Sequence, residues 1–253
     1  MKIFHDTWLV FSRSMGQSLR NPIWLFVAIF QPVLFLLLFG PLLKPLTQVR
    51  GFGGDNAYTV LVPGLVVQLG LYGAAFVGFG IIGELREGVI ERMRVSPISR
   101  VALLLGRSLR DVVVIVVQSA ILVLLALPFG LKVSGAGAAI SILLVGLLGL
   151  SLSSISYAVG LILQSEDALA PLSNFFVVPV LLLSGLLLPM SLAPAWLRRI
   201  SYADPLRHTV DATRFLFKGQ IATGTVLRGF LVTGALAALC VWFAARQFRT
   251  SQA

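Results

Sequence analysis

The chain has 253 residues, of which 57% are hydrophobic and 12% charged, and its mean hydropathy is +0.94. An ordinary soluble domain carries about 25% charged residues, so this composition excludes a soluble globular protein and predicts an integral membrane protein. The formal net charge of +10 does not indicate nucleic-acid binding, because the basic residues are scattered between apolar runs and form no single stripe. The single cysteine, Cys240, excludes a disulfide framework within the chain and a cysteine-based metal cluster.

The N-terminal segment, residues 1–20, combines basic side chains with aromatic and aliphatic ones. This mixture is typical of an amphipathic helix that lies on the membrane lipids. The apolar run that follows, residues 22–43, starts late and has no small-residue cleavage site after it, so we interpret it as the first span rather than a secretory signal. Gln31-Pro32 lies near its middle, where proline removes a backbone hydrogen bond and usually kinks a membrane helix.

The second predicted span, residues 59–83, follows a polar loop at 44–58. Gly70, Ala74 and Gly78 fall on every fourth residue of this span and form a ridge of small side chains. Because small residues at this spacing let helices approach closely, we predict close helix packing along the ridge.

A dense block of charge, residues 84–100, separates the second and third apolar runs. Each Arg or Glu at bilayer depth costs about 2.5 to 3.5 kcal/mol on insertion scales, so the block must lie in water or at the membrane surface. Its apolar residues Leu85, Val89 and Met93 recur at helical spacing and predict a short amphipathic helix, which Pro97 ends. The residues alone leave two interpretations open: a loop that only sets the orientation of the chain, or a docking helix for another protein.

Four further apolar runs predict spans at 101–129, 138–163, 169–188 and 225–243. Six spans place both termini on one side, and the basic residues of the N-terminus, the block 84–100 and the C-terminus place that side in the cytoplasm. The segment 189–218 is also rich in arginine, which conflicts with an outer position. A re-entrant hairpin in place of the fifth span would make that segment cytoplasmic, but it would export the basic C-terminus.

The chain contains no Gly-x-x-x-x-Gly-Lys-Ser/Thr phosphate loop, so it cannot hydrolyse ATP by the usual route. A proton- or sodium-coupled carrier needs ionisable residues inside its spans, whereas all ten acids fall in loops or near the predicted span ends. This pattern favours an external motor that docks on the cytoplasmic face.

Other activities have less support in the sequence. His5 and His208 are far apart and lack a cysteine or acid cluster nearby, so they form no credible metal site. An intramembrane protease or lipid-modifying enzyme would need a nucleophile with a base, or paired acids, at a span, and no such constellation occurs. A self-sufficient flippase or channel is the third possibility, and transport without ATP would distinguish it.

Polar side chains within the spans are the candidates for a translocation path. Polar groups in lipid need partners, so they face other helices or a cavity. Simple hydrogen bonding between helices is the alternative role for each of them. The candidates are Gln31, Gln68, Tyr72, Gln118, Ser153, Tyr157 and Asn174.

A series of motifs resembles one transporter family. In chain order they are Gln31-Pro32 with Leu38-Phe39-Gly40, Arg86-Glu87-Gly88 to Glu91-Arg92-Met93, Ser96-Pro97-Ile98-Ser99-Arg100, Ser184-Gly185 to Pro189, Leu192, Pro194-Ala-Trp196-Leu197, Asp204-Pro205-Leu206 and Asp211-Ala-Thr-Arg214. Their order and spacing resemble the membrane subunit of type-two ATP-binding-cassette exporters, most closely the permeases of the daunorubicin-resistance group. The chain departs from the family at Asp204, where relatives often carry Asn, and in its arginine-rich outer segment, so no substrate preference transfers with the motifs.

The resemblance implies an all-α membrane fold of six helices with an N-terminal interfacial helix. It also implies a cytoplasmic coupling helix at 84–100 and two short re-entrant helices on the outer side within 189–218. A separate ATPase subunit would bind ATP and magnesium, so this chain would be no enzyme and hold no cofactor itself. The residues expected to contact that subunit are Glu84, Leu85, Arg86, Glu87, Val89, Glu91, Arg92, Met93 and Arg94.

The resemblance further implies pairing with a second permease copy, identical or related, in a bacterial plasma membrane. The expected cargo is a hydrophobic or amphipathic compound such as a drug, an antibiotic or a lipid, because the path is mostly apolar. The alternative cargo is a polysaccharide, because some members of the family export polysaccharides.

Overall fold

The computed structural model describes residues 2–20, 23–48, 56–88 and 99–250. Within these ranges the chain is helical and has no strand. The α-helices are α1 (Lys2–Arg20), α2 (Ile23–Leu43), α3 (Ala57–Ala75), α4 (Gly78–Arg86), α5 (Arg100–Ala126), α6 (Gly135–Leu163), α7 (Glu166–Leu183), α8 (Ala195–Ser201), α9 (Pro205–Phe217) and α10 (Gly224–Thr250).

Six helical segments in the described ranges are long and apolar enough to cross a membrane. They are α2, the pair α3 and α4, α5, α6, α7 and α10. The predicted all-α membrane fold with six spans is therefore confirmed. Helices α8 and α9 fall within the segment 189–218, and their re-entry into the membrane stays a prediction.

The ends of two predicted spans differ from the observed helices. The second span, predicted as one helix over 59–83, is divided by a turn at Phe76 and Val77 between α3 and α4. The fifth, predicted to reach residue 188, ends at Leu183 because Gly185 follows with a φ of +70°, a left-handed conformation that terminates a helix. Helix α2, by contrast, stays helical through Pro32.

Helix α3 occupies the centre of the bundle and packs against α2, α5, α6 and α9. The ridge of small residues faces α6. A Cβ on Gly70 would come within 2.8 Å of the Val145 side chain, and one on Gly78 would overlap the backbone oxygen of Ser156. The close packing predicted for this span is confirmed.

Helices α2 and α7 lie at the periphery and leave large apolar side chains uncovered. Phe26 is 71% exposed on α2, and Phe175 is 72% exposed on α7. Side chains of this size face lipid or another protein in a membrane protein, because water would not solvate them favourably.

The segment between α7 and α10 folds back onto the bundle through buried polar groups. Asp204 caps α9, its Oδ1 accepting a hydrogen bond from the Leu206 amide at 2.9 Å. Arg214, also buried, donates from Nη2 to the carbonyl oxygen of Gly185 at 2.7 Å. Burial raises the pKa of the Asp204 carboxyl to about 6 and lowers the pKa of the Arg214 guanidinium to about 10.

Candidate coupling and translocation site

The charged block 84–100 is described at its two ends only, residues 84–88 and 99–100. Of the predicted ATPase contacts, Glu84, Leu85, Arg86 and Glu87 lie at the end of α4. The others, Val89, Glu91, Arg92, Met93 and Arg94, lie outside the described residues, so their contacts stay predictions.

The first end of the block is connected to two neighbouring helices. Glu84 pairs with Arg107 of α5, whose side chain is only 7% exposed. Arg86 pairs with Glu166 at the start of α7, with Nη1 and Oε1 3.0 Å apart. Leu85 packs its apolar side chain into a cluster that includes Ile81. The pair with the buried Arg107 thus joins the block to the interior of the bundle, while the Arg86 pair lies at the surface.

The second end of the block is connected to the N-terminal helix. Ser99 caps α5, its Oγ accepting from the Ala102 amide at 3.1 Å, while the Ser99 amide donates to Oδ2 of Asp6 at 3.3 Å. Asp6 belongs to α1, which packs along α5 where Gly106 has no side chain. A Cβ on Gly106 would lie 2.7 Å from the Val10 side chain. Helix α1 is therefore held tightly against the beginning of α5.

A buried polar network lies deeper in the bundle, and the sequence analysis missed it. Arg110 and Asp111 of α5 form an ion pair at 3.2 Å, and the Tyr157 hydroxyl of α6 donates to the other Asp111 oxygen at 2.7 Å. Arg110 also donates to Ser18 of α1 at 3.2 Å. Charged groups at membrane depth need such partners. The signal in the sequence was the spacing of Arg107, Arg110 and Asp111, which share one face of a helix.

Asp111 lies well within a span, contrary to the expectation from the sequence. It lies eleven residues after Arg100, the first residue of α5, or about 16 Å along the helix, and its side chain is 3% exposed. The expectation that every acid falls in a loop or near a span end was therefore too simple. The carboxylate is nevertheless paired with Arg110 and hydrogen-bonded to Tyr157.

A cavity of about 340 Å³ connects this network to the charged block. Its wall includes Glu84 at the base of the block, Arg107 and Arg110, together with two predicted path residues, Gln118 and Tyr157. Fold and sequence thus bring two of the seven path candidates beside the block.

The other path candidates occupy three different environments. Gln68 and Ser153 are buried within the bundle. Tyr72 is half-buried and stacks on Phe76 with 6.2 Å between ring centroids. Gln31 and Asn174 are exposed on the peripheral helices α2 and α7. One subunit therefore does not bring the seven residues together, and their joint role stays a prediction.

An apolar groove of about 420 Å³ runs between α3, α6 and α7. Leu71, Leu152 and Phe176 form part of its wall, and Ser156 and Ser173 are its polar residues. A groove of this size and composition can accommodate a hydrophobic molecule or a lipid chain.

Within the described ranges, no group of three or more His, Cys, Asp or Glu side chains is arranged to hold a metal ion. The described charged residues near the block act in ion pairs and hydrogen bonds instead. What the arrangement can do is transmit force, because ion pairs connect the block to α5 and α7 and a hydrogen bond connects it to α1.

Comparison with known proteins agrees with this architecture. The ABC-2 type transporter family model matches residues 5–217. The daunorubicin resistance ABC transporter permease protein DrrB1 of Streptomyces coeruleorubidus is 28% identical over 249 residues, which cover 95% of this chain and 85% of that protein. The ycf38 protein of Cyanophora paradoxa, assigned as a transport permease, is 26% identical, with coverages of 84% and 74%. The probable multidrug ABC transporter permease YbhR of Escherichia coli strain K12 is 23% identical, with coverages of 62% and 43%. The chain therefore belongs to the ABC-2 type transporter family, as a multi-pass membrane permease.

Proposed function

We propose that the chain is the membrane subunit of an ATP-driven exporter that moves a hydrophobic or amphipathic compound, such as a drug, an antibiotic or a lipid, out of the cell. A separate ATPase subunit binds ATP and magnesium and supplies the energy. The proposal is supported by the family match over residues 5–217 and by relatives described as drug-resistance and multidrug permeases. The absence of a phosphate loop from the sequence agrees with an external motor.

The charged block 84–100 is the proposed docking surface for that motor. The observation that carries this assignment is the attachment of its two ends to different helices: Glu84 to Arg107 of α5, and Ser99 to Asp6 of α1. A displacement of the block by the motor would therefore act on several helices at once. Charged side chains on the block would select the partner, and its apolar residues would anchor it.

The proposed translocation path lies between two permease copies. Symmetric pairs are the commonest arrangement of protein oligomers, and the uncovered apolar faces of α2 and α7 offer surfaces for such a pair. Gln31 and Asn174 are exposed on these same two helices. They are therefore the path candidates that a second copy would enclose, whereas Gln118 and Tyr157 line the internal cavity beside the block.

The proposed location is a bacterial plasma membrane, with both termini in the cytoplasm. The basic residues around the N-terminus, the block and the C-terminus support this orientation through the positive-inside rule. The apolar groove between α3, α6 and α7 supports a hydrophobic or amphipathic cargo over a polysaccharide.

Purification of the tagged chain from its own membranes in mild detergent tests the motor assignment. We expect an ATPase subunit to be recovered in about equal amount, as the oligomeric arrangement of such exporters requires, and ATP hydrolysis to accompany it. A chain recovered alone, which still moves lipid or drug in vesicles without ATP, would support an ATP-independent flippase instead.

Reversal of charge in the block tests the docking surface. The double variant Glu87→Arg, Arg92→Glu keeps the net charge but exchanges the positions of the acidic and the basic side chain. We therefore expect it to insert into the membrane normally and to lose both binding of the ATPase subunit and transport activity. The matched control, Glu87→Asp with Arg92→Lys, retains each charge and should retain at least part of the binding. Normal transport by the reversed variant would refute the docking assignment.

A further inference from the structure

The cavity of about 340 Å³ beside the charged block lies within a single subunit, between the N-terminal helix and the first four spans. Helix α5 contributes Arg107, Arg110, Val114 and Gln118 to its wall. Their spacing places them along one face of the helix. The first and the last are eleven residues apart, so the cavity extends about 16 Å along α5. We refer to it as the polar cavity.

The polar cavity changes in polarity along its length. Glu84 and Arg107 line the end next to the charged block. Val77 and Val114 line the stretch that leads toward the middle of the spans, and Gln118 lies at the far end. Ligand sites combine an apolar wall with a few polar groups that fix the orientation of the ligand. This wall therefore matches an amphipathic molecule, with its head at the charged end and its hydrocarbon part along the two valines.

The polar cavity is open to the outside of the bundle. Three residues of its wall are exposed, Gln17 of α1, Ala28 of α2 and Gly80 of α4. A Cβ on Gly80 would meet no atom within 4 Å, so free space adjoins the wall at this point. Helix α1 is predicted to lie among the lipid headgroups. In the proposed orientation, the opening beside α1 and α2 therefore faces the headgroups of the cytoplasmic leaflet.

The charges of the polar cavity balance one another. Glu84, Arg107 and Arg110 are the charged residues in the described part of its wall. Arg107 is paired with Glu84, and Arg110 is paired with Asp111 at 3.2 Å. A ligand with a net charge would lose its hydration without gaining an unpaired counter-charge. A zwitterionic or uncharged polar head, by contrast, can exchange hydrogen bonds with both members of an ion pair.

We propose that the polar cavity binds an amphipathic molecule without net charge, with its head toward Glu84 and Arg107 and its hydrocarbon part toward Val114. The molecule enters from the cytoplasmic leaflet through the opening beside α1 and α2. Two sources supply this chemistry: the exported compound, which the cavity would take up before it reaches the path between two copies, and a membrane lipid that stays bound. The inference rests on the proposed function only where the bound molecule is the exported compound.

Photolabelling of the purified full-length chain in phosphatidylglycerol vesicles tests the inference, because the net charge of this host lipid should keep it out of the polar cavity. The probes are zwitterionic lysophosphatidylethanolamine and anionic lysophosphatidylglycerol, each with a diazirine on its hydrocarbon chain. We expect the zwitterionic probe to label Val114 about tenfold more strongly than the anionic one, which corresponds to about 1.4 kcal/mol. Ile121, exposed on the same helix outside the cavity, measures labelling from the surrounding lipid.

Two leucine substitutions in α4 form a matched pair. Gly80 lines the polar cavity and Gly83 does not, and a Cβ at either position would meet no atom within 4 Å. Gly80→Leu places a side chain in the cavity, so we expect labelling of Val114 relative to Ile121 to fall about tenfold. Gly83→Leu should leave this ratio unchanged, although it alters the helix propensity of α4 by the same amount. Equal elution volumes and melting temperatures establish that both variants are folded.

Mass spectrometry of molecules that co-purify with the chain from its own membranes separates the two sources. A phospholipid that is retained by Gly83→Leu and lost from Gly80→Leu would assign the polar cavity to a resident lipid. Another amphipathic compound with the same behaviour would assign it to the exported cargo.

Two results would overturn the proposal: equal labelling of Val114 by the two probes, or labelling of Gly80→Leu at the level of the unaltered chain. Photolabelling requires neither ATP nor an ATPase subunit. Its failure would therefore leave the motor assignment standing, and a chain purified without an ATPase would leave the labelling result standing.

Discussion

Ser156 joins the two helices that lead into the charged block, and its removal provides a sharp test of the fold. Its hydroxyl donates to the Ala75 carbonyl oxygen at 2.7 Å and accepts from the Gly78 amide at 2.9 Å. Both backbone groups lie at helix ends, beside the turn at residues 76–77, where the usual helical partners are missing. The side chain is 5% exposed, so water does not readily replace it.

Ser156→Ala would leave a buried donor and a buried acceptor without this partner. An orphaned buried group costs about 1–3 kcal/mol in soluble proteins, whereas hydrogen bonds between membrane helices average about 0.6 kcal/mol. For two bonds these values predict a loss of about 2 kcal/mol in the free energy of unfolding.

Ser151→Ala is the matched control for this change. Ser151 lies on the same helix, is fully buried, and donates to the Leu147 carbonyl oxygen of its own helix at 2.9 Å. Its removal deletes the same hydroxyl but orphans no group at a helix end, so we expect a change within about 0.5 kcal/mol. Reversible unfolding in mixed micelles with increasing SDS measures the free energy of unfolding of both variants. Equal losses for the two variants, or a loss below about 0.5 kcal/mol for Ser156→Ala, would refute the reasoning.

Two further predictions concern Gly137 and Asp204, and a third concerns the orientation of the chain in the membrane. Gly137→Ala is expected to lower stability by about 1–3 kcal/mol through overlap with the Leu216 backbone oxygen, whereas Gly135→Ala, with open space around it, should be tolerated; equal melting temperatures would contradict the predicted clash. Because burial raises the pKa of Asp204 to about 6, its contribution to stability is fully present below a pH of about 4 and is lost as the pH rises through about 6. Asp204→Asn keeps the capping oxygen, so the variant should be at least as stable as the unaltered chain at pH 7.5, and its stability should change less between pH 4 and 7. Thermal unfolding across that pH range measures both, and a variant that is less stable at pH 7.5 would contradict the prediction. In a Cys240→Ala background, a cysteine introduced at the exposed residue Gln220 should react with an impermeant thiol reagent from outside intact cells. A cysteine introduced at Asp167, which is exposed at the other end of the bundle, should react only after permeabilisation. The reverse pattern would show that the chain is inserted in the opposite orientation.

Prediction from the sequence was most accurate for features whose free energy depends on one short segment of the chain. Apolar runs and charged blocks differ by several kcal/mol in their transfer to lipid, so the six spans could be recognised along the sequence, and the same difference predicts that the block lies in water. The ridge of Gly70 and Gly78 could also be recognised, because small side chains at a spacing of four residues lie on one helix face whatever the partner helix is. Neither pattern indicates which other helix is contacted.

The turn between α3 and α4 could not be predicted in the same way. The run from 59 to 83 contains no charged residue, and no proline marks residues 76–77. The turn is compatible with membrane depth only because Ser156, from a distant helix, satisfies backbone groups on both sides of it.

The sequence by itself determined the membrane class, the number of spans and the existence of a charged block that must stay outside the lipid, because each depends on the sum of local transfer free energies. Only the tertiary structure decided which charges meet. Asp111 and Tyr157 are 46 residues apart yet hydrogen-bonded, and Lys44, Lys132 and Lys218 line one cavity although they come from three separate connections. Pairing energies depend on distances between helices, and those distances are set by packing of the whole bundle rather than by any one segment.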